Sequence, residues 1–207
     1  MGFIKKSTAI VTDDDAQKQA SDLAGLIALL ADDDPQNRRW AARDLLAHPQ
    51  ATAALVARLM REDDLSVRDV ILTSLTRLGG EVAVAGLVDC LRSEDAQMRN
   101  EAIEAMKALP DDVAPLMGGL LADADPDVRI MGVNILESLR HPKVEDWLIY
   151  VIDHDPVINV CATAVDLLGE VGSPAARDAL LRLKQRFPEE TYIQFASDLA
   201  LKRIVKA

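Results

Sequence analysis

The sequence predicts an all-α protein, a right-handed solenoid of about six helical hairpins. One short signal returns along the chain: Asp34-Pro35-Gln36-Asn37-Arg38, Asp64-Leu65-Ser66-Val67-Arg68, Asp95-Ala96-Gln97-Met98-Arg99, Asp125-Pro126-Asp127-Val128-Arg129 and Asp155-Pro156-Val157-Ile158-Asn159. The leading aspartates are 30, 31, 30 and 30 positions apart, and a period of this length with one supersecondary unit per period is the signature of stacked repeats. Composition agrees. Of 207 residues 49% are apolar but only 3% aromatic, as expected where aliphatic packing between layers replaces a single aromatic core.

Each period encodes two helices. The first are the apolar stretches Leu23 to Leu30, Ala54 to Met60, Val84 to Leu91, Val113 to Leu121 and Val144 to Ile152; the second follow each Asp, with apolar residues at helical spacing such as Val128, Val133, Ile135, Leu136 and Leu139. Asp at an N-cap accepts bonds from the first free backbone N–H groups, and Pro35, Pro126 and Pro156 suit a first helical position, where a missing donor costs nothing. Ser21-Asp22 is a candidate cap for the first helix. Turns close the units at His48-Pro49, Gly79-Gly80, Pro110-Asp111, His141-Pro142 and Gly172-Ser173-Pro174. The expected domain is 16–207, with repeats at about 20–48, 50–80, 81–110, 111–142, 143–173 and 174–207, preceded by a flexible arm over 1–15. In the last repeat, Tyr192, Phe195, Leu199 and Ile204 mark an amphipathic run whose Lys202, Arg203 and Lys206 complement the helix dipole and give the stack a polar outer face.

The pattern Asp-Pro-x-Val-Arg, an Ala or Gly three residues on, an aliphatic run and a Gly or Pro stop resembles the short bacterial HEAT repeat, including its phycobilisome-lyase-type members. The resemblance covers roughly residues 20 to 205. It implies structural roles for the ladder Asp34, Asp64, Asp95, Asp125 and Asp155 and for Arg38, Arg68, Arg99 and Arg129; Asn159 interrupts the arginine ladder in the fifth copy. The four-residue spacing from Asp to Arg also puts both on one helical face, where they can link neighbouring repeats.

Composition and motifs exclude several classes of function. With 34 acidic against 23 basic side chains and a net charge of -11, nucleic acid is not an expected partner, and the pair Arg39 and Arg43 is too small a patch to reverse that. No apolar run reaches a membrane span, no signal-peptide core follows Lys5-Lys6, and Lys6 stands where myristoylation needs Ser or Thr. The cytoplasm is the expected compartment, and Cys90 and Cys161, in helices two repeats apart, are not expected to meet. His48, His141 and His154 sit at turns and do not converge, so no metal is expected; the acidic turns read as helix caps rather than cation loops. No catalytic constellation or phosphate loop is present.

The remaining candidate is the inner face. The second helix of a HEAT-like hairpin usually lines the concave side, and the fifth and ninth positions after each Asp select Arg39, Arg43, Asp69, Thr73, Asn100, Glu104, Ile130, Asn134, Val160 and Ala164. This face runs from charged to apolar, with Ile130, Met131, Val157 and Val160 either a docking patch or packing between repeats. Trp40 is likewise an anchor if exposed and a core plug if buried. The leading expectation is a non-enzymatic scaffold or adaptor without cofactor, binding a basic or mixed-charge protein on that face. The alternative, implied by the resemblance, is a bilin lyase or chaperone-like protein that handles a linear tetrapyrrole, with Cys161, Trp147 and Tyr150 near an apolar pocket.

Overall fold

A computed structural model describes residues 22–204; the proposed arm over 1–15, Ser21 and Lys206 lie outside the described residues. Among those described there are helices and turns and no strand. They form two compact units, up to Leu78 and from Gly79 onward.

The first unit holds α1 (Leu23–Leu29), α2 (Pro35–Asp44), α3 (Thr52–Leu59) and α4 (Leu65–Leu78). Asp22 caps α1 through the Gly25 N–H at 2.6 Å, and Asp34 caps α2 through Gln36 at 2.9 Å with Pro35 inside the first turn. Asp64 accepts from the Ser66 and Val67 amides at the start of α4. Ala41 and Ala42 let α2 approach α4 closely, where the Ser74 hydroxyl donates to the Ala42 carbonyl at 2.9 Å, and Leu45, Leu55, Leu59, Ile71 and Leu75 fill the space between hairpins.

Glu62, only 2% exposed, is the polar hub of this unit. Its carboxylate accepts from Arg38 Nε and Nη2, each at 2.9 Å, from Arg58 Nε at 2.6 Å and from the Asp64 amide at 3.0 Å. Arg38 Nη1 simultaneously donates to the Asp32 and Asp33 carbonyls, so one guanidinium ties its own turn to the next. Burial raises the Glu62 pKa, but the bonds from Arg38, Arg58 and the Asp64 amide outweigh it and bring it to about 2.

The second unit holds α5 (Gly80–Cys90), α6 (Ala96–Lys107), α7 (Pro110–Val113), α8 (Met117–Leu120), α9 (Pro126–Leu136), α10 (Val144–His154), α11 (Ile158–Val171), α12 (Arg177–Arg186) and α13 (Thr191–Ile204). Each second helix packs on the next: α6 on α9, α9 on α11, α11 on α13. Gly79, at φ +60, opens α5, and a Cβ there would stand 2.9 Å from a carboxylate oxygen of Asp112. The stretch expected as one helix over Val113 to Leu121 is instead α7, a 3-10 turn and α8. Pro115 lacks an amide donor and Gly118-Gly119 favour the helix poorly, which breaks it.

The fifth repeat departs from the expected cap. Helix α11 starts at Ile158, so Pro156 is not at its first position. The Asp155 carboxylate is drawn to Arg129, with Nε at 2.6 Å and Nη2 at 3.0 Å, and also accepts from the Val157 amide. Where Asn159 replaces the ladder arginine, Arg186 from α12 supplies a guanidinium in space: it donates to the Ile152 carbonyl at 2.5 Å and the Asp155 carbonyl at 2.6 Å.

Because its pKa falls from an ordinary 4.5 to about 2 on folding, Glu62 stabilises the protein fully above about pH 4.5 and loses that contribution as pH drops toward 2. Replacing Glu62 by Gln is expected to lower stability at pH 7 by about 3 kcal/mol and to flatten the acid limb in that window, measured by urea melts at stepped pH. Arg186→Ala, which removes the side-chain donor to the Ile152 carbonyl and leaves the Asp155 carbonyl only the weak Cys161 thiol, is expected to cost about 1–2 kcal/mol in the same assay.

Candidate functional site

Helices α6 and α9 flank a groove of about 570 Å³. Its apolar lining comes from Leu91, Ile103, Ile130 and Met131; Asn100 of α6 and Asn134 of α9 also line it; and the neighbouring turns contribute Arg92, Glu94, Arg99, Asp125 and Asp127. The helices place these groups through their register. Met98, Ala102 and Met106 of α6 and Val128, Val133 and Ile135 of α9 turn inward, and the groove residues occupy the adjacent stripe. Three residues of the expected inner face, Asn100, Ile130 and Asn134, therefore share one site.

The turn end is electrostatically organised. Arg92 Nη2 reaches Asp123 at 2.5 Å, and this bond, with the Asp125 amide, holds the Asp123 carboxyl below its ordinary pKa. Asp125 caps α9 by accepting from the Asp127 amide at 2.9 Å. Arg99 is half-buried, and its Nη1 donates to the Ser93 and Glu94 carbonyls at 2.7 and 3.1 Å.

Other expected site residues lie elsewhere. Arg39, Arg43, Asp69 and Thr73 are exposed on the first unit, where Arg43 pairs with Asp44 and Trp40 is half-buried. Glu104 is exposed beside Lys107, which also reaches Glu137. Val160 and Ala164 are fully buried, so they are core and not a binding face. The reason is that α11 is packed against α9, α10 and α13 at once, leaving few of its sides to solvent. The docking patch on this face thus reduces to Ile130 and Met131 in the groove, with Val157 half-buried.

The apolar pocket around Cys161, Trp147 and Tyr150 does not form. Tyr150 lies on the rim of a groove of about 220 Å³, stacked 4.5 Å from His154, whereas Trp147 stacks on His141 at 5.0 Å. The Cys161 thiol is buried, donates to the Asp155 carbonyl at 3.3 Å, and is pushed up to about 11, chiefly by burial. The last helix also differs from expectation. Its outer face carries Lys202 and Arg203 as expected but also Tyr192, Phe195 and Leu199, which are exposed because Ala200 brings α13 close to Gly169 of α11 while Ile193, Ala196, Ser197 and Ile204 share the inner side. Among the described residues no helix is long and apolar enough to cross a membrane, and no cluster of three or more His, Cys, Asp or Glu residues is arranged to hold a metal.

Paired helices stacked second helix on second helix, with Asp caps and arginine-bridged turns, define a helical repeat protein. The chain belongs to the HEAT repeat family, which residues 23–107 and 113–193 match. Among curated proteins it is similar to the bilin biosynthesis protein PecE of Mastigocladus laminosus, with 32% identity over 151 residues, 71% of this chain and 56% of that protein. It is also similar to PecE of Nostoc sp. strain PCC 7120, with 42% identity over 74 residues, 35% of this chain and 29% of that protein. The chain thus spans about half the length of the first of these relatives and less of the second. Solved structures with similarity include the archaeal HEAT-like repeats protein from Thermococcus onnurineus NA1, at 17% identity and TM-score 0.44, covering 93% of this chain and 92% of that one. Another is the complex of CpcE and CpcF of phycocyanin lyase from Nostoc sp. PCC7120, at 19% identity and TM-score 0.36, covering 97% of each chain.

Two aspartate substitutions separate groove from core. Val160→Asp buries an unpaired carboxylate and is expected to cost at least about 4 kcal/mol or prevent folding, while Ile130→Asp, at the groove, is expected to cost about 1 kcal/mol, both read by thermal melts with circular dichroism. Cys161 is expected to resist alkylation by iodoacetamide in the native protein at pH 7.5 and to react on denaturation, read by intact mass.

Proposed function

We propose that this protein handles a linear tetrapyrrole, holding it for transfer to or maturation on a protein partner, and that the α6–α9 groove is where the pigment rests. The observation that carries this reading is the 32% identity over 151 residues with a protein named for bilin biosynthesis. Sequence pattern alone favours a colourless adaptor that binds a protein; the PecE relationship favours the cofactor-handling alternative and keeps protein binding as part of it.

The groove's chemistry is compatible with such a ligand. A linear tetrapyrrole is a flat, conjugated, largely apolar molecule with N–H donors along one edge, terminal lactam amides and carboxylate side chains. An apolar floor with a few placed polar groups is what holds molecules of this kind. Ile103, Ile130 and Met131 supply apolar surface, and Asn100 and Asn134 carry amides able to pair with a lactam. The aspartates at the turn end are acceptors for N–H groups. Neither cysteine is a credible attachment point, since both are buried. On this reading the chain positions the pigment and the covalent bond is made to a thiol of the client.

A preorganised groove between packed helices loses little binding free energy to ordering the receptor. Titrating the protein into biliverdin is expected to shift and sharpen its visible absorption band with a Kd on the order of 1–50 μM. Ile130→Asp should weaken that binding by about tenfold or more while leaving helicity unchanged. A colourless protein that captures a stoichiometric partner, with biliverdin unshifted at 100 μM or so, would return the adaptor reading.

A further inference from the structure

We infer that the Nε–Nη2 edge of Arg99 is a carboxylate-binding site, filled by a propionate group of the bound tetrapyrrole; the ligand's identity rests on the function proposed above, the carboxylate chemistry does not. The argument uses the protein's own repeats as templates. Arg38, Arg99 and Arg129 occupy the same position in their hairpins and hold the same pose, each donating through Nη1 to two carbonyls of its own turn. In two of the three, the opposite edge of the guanidinium meets a carboxylate from the following repeat. Arg38 gives Nε and Nη2 to Glu62, and Arg129 gives the same two donors to Asp155. Such fork-to-fork pairing matches the planar guanidinium to a planar carboxylate.

Arg99 has no such acceptor among the described residues, and the two carboxylates of the next turn are directed to other donors. Asp123 is held by Arg92 and by the Asp125 amide, and Asp125 caps α9. The unmatched edge belongs instead to a side chain lining the groove of about 570 Å³, beside the apolar floor of Ile103 and Ile130. A guanidinium fixed through Nη1, with two parallel donors left over, is a preorganised receptor for one carboxylate. The nearby Asp125 and Asp127 disfavour a simple anion and favour a ligand that brings N–H donors together with its carboxylate. A linear tetrapyrrole carries both.

The test uses the full chain with three probes. Biliverdin, biliverdin dimethyl ester and sodium propionate are titrated into wild type, Arg99→Gln and Arg99→Lys, following pigment absorbance and the Arg99 Nε–H resonance by NMR. Expected is about tenfold weaker binding of the ester than of biliverdin by wild type, loss of that difference in Arg99→Gln, and little rescue by Arg99→Lys, which keeps the charge without the fork. Equal binding of acid and ester by wild type, with pigment still bound, would overturn the inference and leave the tetrapyrrole reading standing. If biliverdin does not bind but millimolar propionate shifts the Arg99 Nε–H, the carboxylate site stands and the pigment reading falls. If neither probe acts, both fall. The ester comparison is made on unmodified protein, so a folding defect in a variant does not decide the outcome.

Discussion

The interaction on which the rest depends is a guanidinium used on two edges. Arginine side chains four residues after the capping Asp reach back over their own turn and satisfy carbonyls that a tight helix-to-helix connection leaves open. With the other edge they grasp a carboxylate about one repeat further on, as Arg38 does Glu62 and Arg129 does Asp155. These pairs are nearly buried, so removing either member strands a charge, and the turn geometry and hairpin stacking are coupled through one group. Aliphatic packing supplies most of the favourable burial; the bridges specify register.

That economy explains the irregularities. Asn159 breaks the arginine ladder, yet the turn it should serve keeps a guanidinium because Arg186 arrives from the next hairpin. The Asp155 carboxylate serves both Arg129 and the Val157 amide, and α11 begins at Ile158. Arg99 shows the opposite imbalance. Its turn is satisfied, but Asp123 in the next turn pairs with Arg92 instead, and the leftover donors belong to a groove-lining residue. In the proposed reading, a structural motif becomes a binding element where one of its internal partners is diverted.

The groove and the buried thiols bear on the proposed handling of a pigment. Both cysteines are buried, which is why the proposed reading puts the covalent bond on a client thiol and leaves this chain to hold and orient the pigment. The exposed aromatics of α13 are a separate feature: Phe195 is 65% exposed, while Ile193, Ala196, Ser197, Ala200 and Ile204 form the inner side. Close approach of α13 to α11 at Ala200 and Gly169 leaves no room for a large side chain at that contact.

Much of the fold was legible in the sequence because repetition amplifies a weak local signal. Asp caps, first-turn prolines, closing glycines and the period of about 30 residues each act within a few positions, and several copies agreeing leave one architecture. Asn100, Ile130 and Asn134 could also be placed on one face from helical spacing alone. Tertiary structure decided the rest. Spacing cannot distinguish a helix with one exposed side from one enclosed by three neighbours, so Val160 and Ala164 read as surface and are core. It ranks Tyr192, Phe195 and Leu199 as the buried stripe, where alanines beside a glycine win by closer approach. Which carboxylate each arginine finds depends on atoms some 25 residues apart in the chain meeting within hydrogen-bond distance; only the folded packing settles that competition, and with it which guanidinium is left with an edge to offer.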